Sequence, residues 1–238
     1  MATSLQDKRV LVVGRGGGLA QAIVGAARAQ GASVIAAGRQ PDALKKTYEN
    51  DPGVSVETVD LTDDASIAAL AGRVGDVDHV VSTASARARG TIGKLEREAV
   101  RASFDTKVIG PLMLARAFQG QINEGGSILI FSGVAAFKIA VGTLAVAITN
   151  GAADTLTRSL ALELAPIRVN AISPGVIDTG AWDALGDGKD KLFAEMREHN
   201  PARRIGAASD IAEAAMLALT NPFITGATLQ VDGGERLT

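Results

Sequence analysis

A short apolar run, Arg9–Val13, passes directly into Gly14-Arg15-Gly16-Gly17-Gly18-Leu19-Ala20, and an apolar pattern of helical period continues from Leu19 to Gln30. This strand–glycine loop–helix junction constrains the fold more than any other feature of the chain. Glycines permit a tight turn and let backbone N–H groups approach a phosphate closely, and the helix that follows adds the partial positive charge of its N-terminus. A glycine-rich loop in isolation is weak evidence, since a flexible turn reads the same way. Between the first strand and first helix of an alternating chain it reads as a phosphate cradle.

The chain does alternate. Further strand candidates are Ser33–Ala37, Ser55–Val59, His79–Val81, Ser127–Phe131, Ile167–Ile172 and Thr228–Val231. Most are continuous β-branched runs, as expected of parallel strands buried on both faces. Helical patterns lie between them at Pro41–Glu49, Asp64–Arg73, Leu95–Gln119, Leu144–Leu164 and Ser209–Leu219, with Asp63 and Ser209 in N-cap positions. No linker, repeat or low-complexity run divides the 238 residues. The expectation is a single α/β domain over residues 1–238, a Rossmann-like doubly wound parallel sheet of seven strands with helices on both faces.

Composition narrows the function classes. A net charge of −2 gives no basic nucleic-acid footprint. Cysteine is absent, and the two histidines, His79 and His199, are far apart in sequence, so no metal site is expected. The opening MATSLQDKRV has no apolar signal core, and the ten-residue apolar stretch Ile139–Ile148 is too short to span a bilayer. A cytoplasmic protein without a membrane or nucleic-acid partner is expected.

The end of the second strand bears on cofactor choice. Folds that prefer NAD place an acid there for the ribose 2′-hydroxyl. Here Ala37-Gly38-Arg39 offers a guanidinium, and the first acid is Asp42. Arg39, joined by Arg15 from the glycine loop, can hold a 2′-phosphate, so NADP(H) is favoured over NAD(H). At the end of the third strand, Asp60 can accept from the adenine amino group, or can serve as a turn residue. Small residues Ser82-Thr83-Ala84-Ser85 end the fourth strand, where backbone can lie against the adenosine ribose.

Taken in order, these motifs resemble the short-chain dehydrogenase/reductase family from end to end. Gly14-x-x-x-Gly18-x-Ala20 is similar to the family's first motif with alanine for its last glycine, and Asp60-Leu61 to its adenine-binding pair. Ser82–Ser85 keeps only Ala84 of the usual Asn-Asn-Ala-Gly. Val169-Asn170, Pro174-Gly175-Val176-Ile177-Asp178-Thr179 and Val231-Asp232-Gly233-Gly234 resemble the downstream segments. The resemblance implies a cofactor site formed by Gly14, Arg15, Gly16, Gly18, Leu19, Arg39, Asp60, Leu61, Thr83, Ala84, Pro174, Gly175, Ile177 and Thr179. In it the Ile177 backbone meets the nicotinamide carboxamide and Thr179 lies nearby.

Family members that reduce carbonyls use a serine, a tyrosine, a lysine four residues later and an upstream asparagine. The tyrosine gives its proton to the nascent alkoxide, and the lysine lowers its pKa. Here the serine position falls on Gly133, with Ser132 before it. Val146 stands at the tyrosine position, Asn150 at the lysine position and Lys107 at the asparagine position. Tyr48 is the only tyrosine, and no lysine occurs between Lys138 and Lys189, so no register shift restores the set. Lys107 is the leading candidate for a relocated proton donor, its ammonium reaching the place left by the missing lysine; Asn150, Ser132 and Thr149 are weaker candidates.

The resulting expectation is an NADP(H)-dependent oxidoreductase with an atypical active site. The alternatives are a non-catalytic NADP(H)-binding sensor, scaffold or partner subunit, and a nicotinamide-independent lyase or isomerase. The substrate side should comprise Trp182, a mobile Gly186-Asp187-Gly188 and Leu192–His199, with His199 exposed. Val146, Ala147 and Ile148 predict an apolar pocket and substrate. The apolar helical stretches, with the resemblance, imply a homotetramer or dimer.

Overall fold

The computed structural model describes residues 4–180, 182–183, 186 and 188–238. The first strand, β1 (Arg9–Val13), shows why the sheet is covered on both sides. Val10 and Val12 join one apolar cluster, packed with α1 (Gly18–Ala29) and α8 (Ala208–Thr220). Leu11 and Val13 join the other, with α3 (Asp64–Val74) and α5 (Gly110–Phe118). Period-two alternation within an all-apolar run thus feeds two cores.

The remaining sheet strands are β2 (Ser33–Gly38), β3 (Val54–Thr58), β4 (Val77–Ser82), β5 (Ile122–Phe131), β6 (Arg168–Pro174) and, at the end of the chain, β9 (Thr228–Val231). Their order is β3-β2-β1-β4-β5-β6-β9, and every pairing is parallel. The expected seven-stranded doubly wound sheet is present. Strand order reverses between β1 and β4, which opens a crevice at their C-terminal ends. A separate small pair, β7 (Ile177–Asp178) with β8 (Gly206–Ala207), lies beyond it.

Three local expectations are corrected. Leu95–Gln119 is not one helix: α4 (Arg97–Phe104) and α5 are joined by a π-helical turn, Asp105–Ile109. Pro111 has no N–H to give to the Lys107 carbonyl four residues back, and the Gly110 N–H bonds instead to the Asp105 carbonyl, five back. Gly110 also lies where a β-carbon would come within 2.7 Å of Leu61 Cβ, so the widened turn is pressed against the end of the third βα connection. Second, Ser209 does not cap α8. That helix begins at Ala208, and Asp210 bonds back to the Ala207 N–H at 2.7 Å while held by Arg204 at 2.6 Å. Third, Leu192–His199, to which no helical pattern was assigned, lies in a helix, α7 (Gly188–His199). Asp187, and Met1–Thr3 of the opening segment, lie outside the described residues. The other helices, α2 (Pro41–Tyr48) and α6 (Leu144–Glu163), stand where their periodicity places them, and Asp63 does cap α3, accepting from the Ala65 N–H at 2.9 Å.

Candidate active site and cofactor crevice

The glycine loop is fixed at its base. The Gly14 N–H bonds to the Ala37 carbonyl at 2.9 Å, and Thr83 gives both its N–H (2.9 Å) and its hydroxyl (3.2 Å) to the Val13 carbonyl. A β-carbon on Gly14 would stand 2.1 Å from Thr83 Oγ1, so Gly14 and Thr83 close one wall of the crevice together. Gly38 meets the same loop, with no room for a β-carbon beside the Gly14 carbonyl (2.5 Å). By contrast, a β-carbon at Gly17 would touch nothing, and no side chain caps α1. The first-turn N–H groups of α1 therefore have no side-chain acceptor, and the loop fits a pyrophosphate by shape and by dipole. Gly18, at φ +59°, lies against Thr179, so the glycine loop meets the segment after β6. Leu19, Ala84, Pro174 and Gly175 are half-buried along the same edge, and Leu61 and Ile177 are buried.

At the adenine end, Asp60 Oδ1 accepts from the Thr62 N–H (2.9 Å) and hydroxyl (2.8 Å). Those bonds hold its carboxyl below the usual range, and the Arg39 charge adds to the effect. Arg39 is exposed and near Asp60, while Arg15 acts on Arg87 in the loop after β4. Arg39 thus acts on the Asp60 side of the crevice and Arg15 on the Arg87 side.

Lys107, Asn150 and Ser132 are brought together. Lys107 reaches inward from the π-turn and is 7% exposed. Its ammonium donates to the Ser132 carbonyl at 2.8 Å and to Asn150 Oδ1. The Ser132 hydroxyl donates to the Asn150 carbonyl at 3.1 Å. Burial, aided by the Arg87 charge and opposed by Asp154, one helical turn beyond Asn150, brings the Lys107 pKa down to about 7. A β-carbon at Gly133 would stand 2.7 Å from Asn150 Nδ2, so glycine at 133 and asparagine at 150 are fitted to each other. Val146 is buried with nothing to donate, and the Thr149 hydroxyl is spent on the Ala145 and Val146 carbonyls.

Beyond the crevice, Trp182 donates its indole N–H to the Ile177 carbonyl at 2.9 Å and meets Phe193 edge-on, ring centres 6.2 Å apart. Lys189 ties the base of α7 to Asp178 (3.0 Å) and Asp183 (2.7 Å). Trp182 pins this segment down, and His199 is exposed. Sequence reasoning passed over Arg87, Arg89 and Asp154; the alternation Arg87-Ala88-Arg89 shortly after the small residues that end the fourth strand was the available signal for the first two.

A doubly wound parallel sheet whose open glycine cradle stands at the reversal of strand order defines a dinucleotide-binding α/β protein. Residues 14–235 match the family model described as enoyl-(acyl carrier protein) reductase. The chain is 32% identical to the L-xylulose reductase of Bos taurus over 98% of each chain. It is 31% identical to the short-chain dehydrogenase/reductase ATR9 of Stachybotrys chlorohalonatus over 98% of this chain and 99% of that one. A crystal structure of a small-chain dehydrogenase in complex with NADPH superposes with a TM-score of 0.85 at 29% identity, covering 98% of this chain and all of the other. The chain belongs to the short-chain dehydrogenase/reductase family, a family of oxidoreductases that bind nicotinamide dinucleotides. Among the described residues no helix is long and apolar enough to cross a membrane.

Proposed function

We propose that this protein is an NADP(H)-dependent oxidoreductase whose proton donor has moved from the family's tyrosine to Lys107. One observation carries the reading: a buried ammonium with a pKa near neutrality, held by Asn150 and Ser132 at the place the resemblance gives to the lysine. The bound cofactor supplies a hydride. The chain's own residues hold and release the proton: Lys107 Nζ carries it at neutral pH, while Asn150 Oδ1 and the Ser132 carbonyl orient the nitrogen. The same reading takes the loss of tyrosine and lysine at Val146 and Asn150 as a true divergence, with Gly133 fitted to it.

Assay of the NADPH-loaded protein against carbonyls, imines and activated alkenes, followed by NADPH fluorescence, tests the reading. Turnover of any of these supports it. NADPH binding with no turnover favours the sensor or scaffold alternative, whose support is that Lys107 already has two internal acceptors. No binding of either dinucleotide overturns both.

The preference for NADP(H) rests on Arg39 near the adenine end and on the lack of an acid at the end of β2 before Asp42. Arg39→Ala removes a charge-assisted bond worth about 1.5–3 kcal/mol. The NADPH dissociation constant is expected to rise roughly 10- to 150-fold, with NADH little changed, as read by titration calorimetry. Equal loss for both dinucleotides would remove Arg39 from the 2′-phosphate site. Self-association belongs to the same proposal: Ile109, Ile148 and Leu162 stand exposed on or beside α5 and α6.

A further inference from the structure

Lys107 is not the only cation at the centre of the crevice. Arg87 and Arg89 follow β4 in a segment tied down on the substrate side. The Ser103 hydroxyl of α4 donates to the Ala86 carbonyl at 2.9 Å, Ala88 is 3% exposed, and the Gly90 N–H bonds to the Gly142 carbonyl at 3.0 Å. The residues between these anchors are therefore fixed in place, with Arg87 and Arg89 exposed on either side of buried Ala88. They form no ion pair among the described residues. Arg87 is close enough to Lys107 to weigh on its charge, and surrounding protein, then Arg89 and Arg15, hold the Arg87 pKa down. Lys94 adds another cation, its Cβ lying 3.6 Å from the position of a Gly90 β-carbon. Uncompensated like charges on an anchored segment repel one another, and an anion placed among them relieves that repulsion.

The neighbouring wall has the opposite character. Gly142, which holds Gly90, lies in the loop that presents Ile139 (73% exposed) and Val141 (91%). An inorganic anion would ignore that surface, whereas an organic acid with an apolar body meets both walls.

We propose that Arg87 and Arg89 dock the carboxylate of the substrate, so that the protein acts on a carbonyl compound bearing a carboxylate on an apolar skeleton. This deepens the preceding proposal and rests on it for the reaction, although the dock itself does not. The fork geometry of arginine suits a carboxylate bidentately and fixes the distance from the acid group to the reacting carbonyl near Lys107.

The test compares benzaldehyde with para-carboxybenzaldehyde as substrates of the NADPH-loaded protein. It also measures benzoate binding to the same complex by calorimetry. The wild type is expected to favour the carboxylated aldehyde in kcat/KM by at least about tenfold. Arg87→Gln brings that ratio close to unity, Arg87→Lys restores part of it, and Arg89→Gln gives an independent reduction. Absence of any preference in the wild type, or a ratio unmoved by both glutamine variants, overturns the dock. So does a rise in the NADPH dissociation constant with the substrate ratio intact, which would make Arg87 a cofactor clamp. If neither aldehyde is reduced, the oxidoreductase reading passes to the wider set of carbonyls, imines and alkenes, and the dock is read without turnover. Benzoate binding then decides: binding lost in Arg87→Gln and Arg89→Gln supports the dock, and no binding by the wild type overturns it.

Discussion

Replacing Lys107 with methionine is expected to lower turnover by roughly 10²- to 10⁴-fold, the usual contribution of a positioned general acid, while changing NADPH affinity little. The pH dependence should change with it. Reduction needs the protonated Nζ, so wild-type turnover falls as pH rises through about 7, and the residual rate of the methionine variant lacks that limb. Stability gives a second readout that needs no substrate. In the unfolded chain the lysine titrates near 10.4, whereas in the folded protein it titrates at about 7. Below the folded value both states carry the proton and the desolvation cost is constant. Between the two values the unfolded state binds more protons, so wild-type stability rises with pH by up to about 1.4 kcal/mol per unit. Methionine has no such dependence. Its advantage over the wild type, reduced by the bonds lost at the Ser132 carbonyl and Asn150, should therefore shrink by about 2–3 kcal/mol between about pH 7 and about pH 9 in urea titrations. Unchanged turnover rejects the catalytic role. A stability difference that is flat across that window rejects the lowered pKa.

What the sequence disclosed and what it concealed follow from different physics. The βαβ order and the crevice were legible because strand runs, helical period and a glycine junction are local patterns, and parallel topology follows from their order. The π-turn was not. Apolar spacing from Leu95 to Gln119 continues through it, and only the missing N–H of Pro111 marks where the ladder slips. α7 was hidden because its apolar stripe is thin: Phe193 is buried, Leu192 and Met196 are half-buried, and most of Gly188–His199 is polar and exposed. At the site, the sequence indicated which positions had changed and that the Lys107 ammonium reaches the place of the missing lysine, but not that the Ser132 carbonyl is its second acceptor. That contact depends on the depth at which the π-turn carries residue 107. Arg87 and Arg89 read as ordinary surface charge until the anchors at Ala86 and Gly90 are seen.

The contact between Lys107 and Asn150 can be tested by exchanging its members. Asn150→Lys alone sets a second ammonium beside the first, both buried, with Asp154 the acid among the described residues that offsets the charge of Lys107. An uncompensated buried charge costs about 3–5 kcal/mol, so this variant is expected to lose most of its stability margin. Lys107→Asn alone removes the buried cation and keeps a polar group, and is expected to be tolerated. The double exchange, Lys107→Asn with Asn150→Lys, restores one ammonium and one amide in the same space. It should recover at least about 2 kcal/mol over Asn150→Lys, a coupling energy that only neighbouring residues show. If the two substitutions instead add independently, the side chains do not share a site, and the relocation argument fails at its geometric root. If the exchange recovers stability, the ammonium has been returned to α6, where the family keeps it, but Val146 still offers no hydroxyl. Activity of the exchanged protein then separates two roles that coincide in Lys107. A cation that only orients the cofactor ribose serves from either helix, whereas a proton donor positioned from the π-turn does not, and its loss leaves binding intact and the pH limb absent.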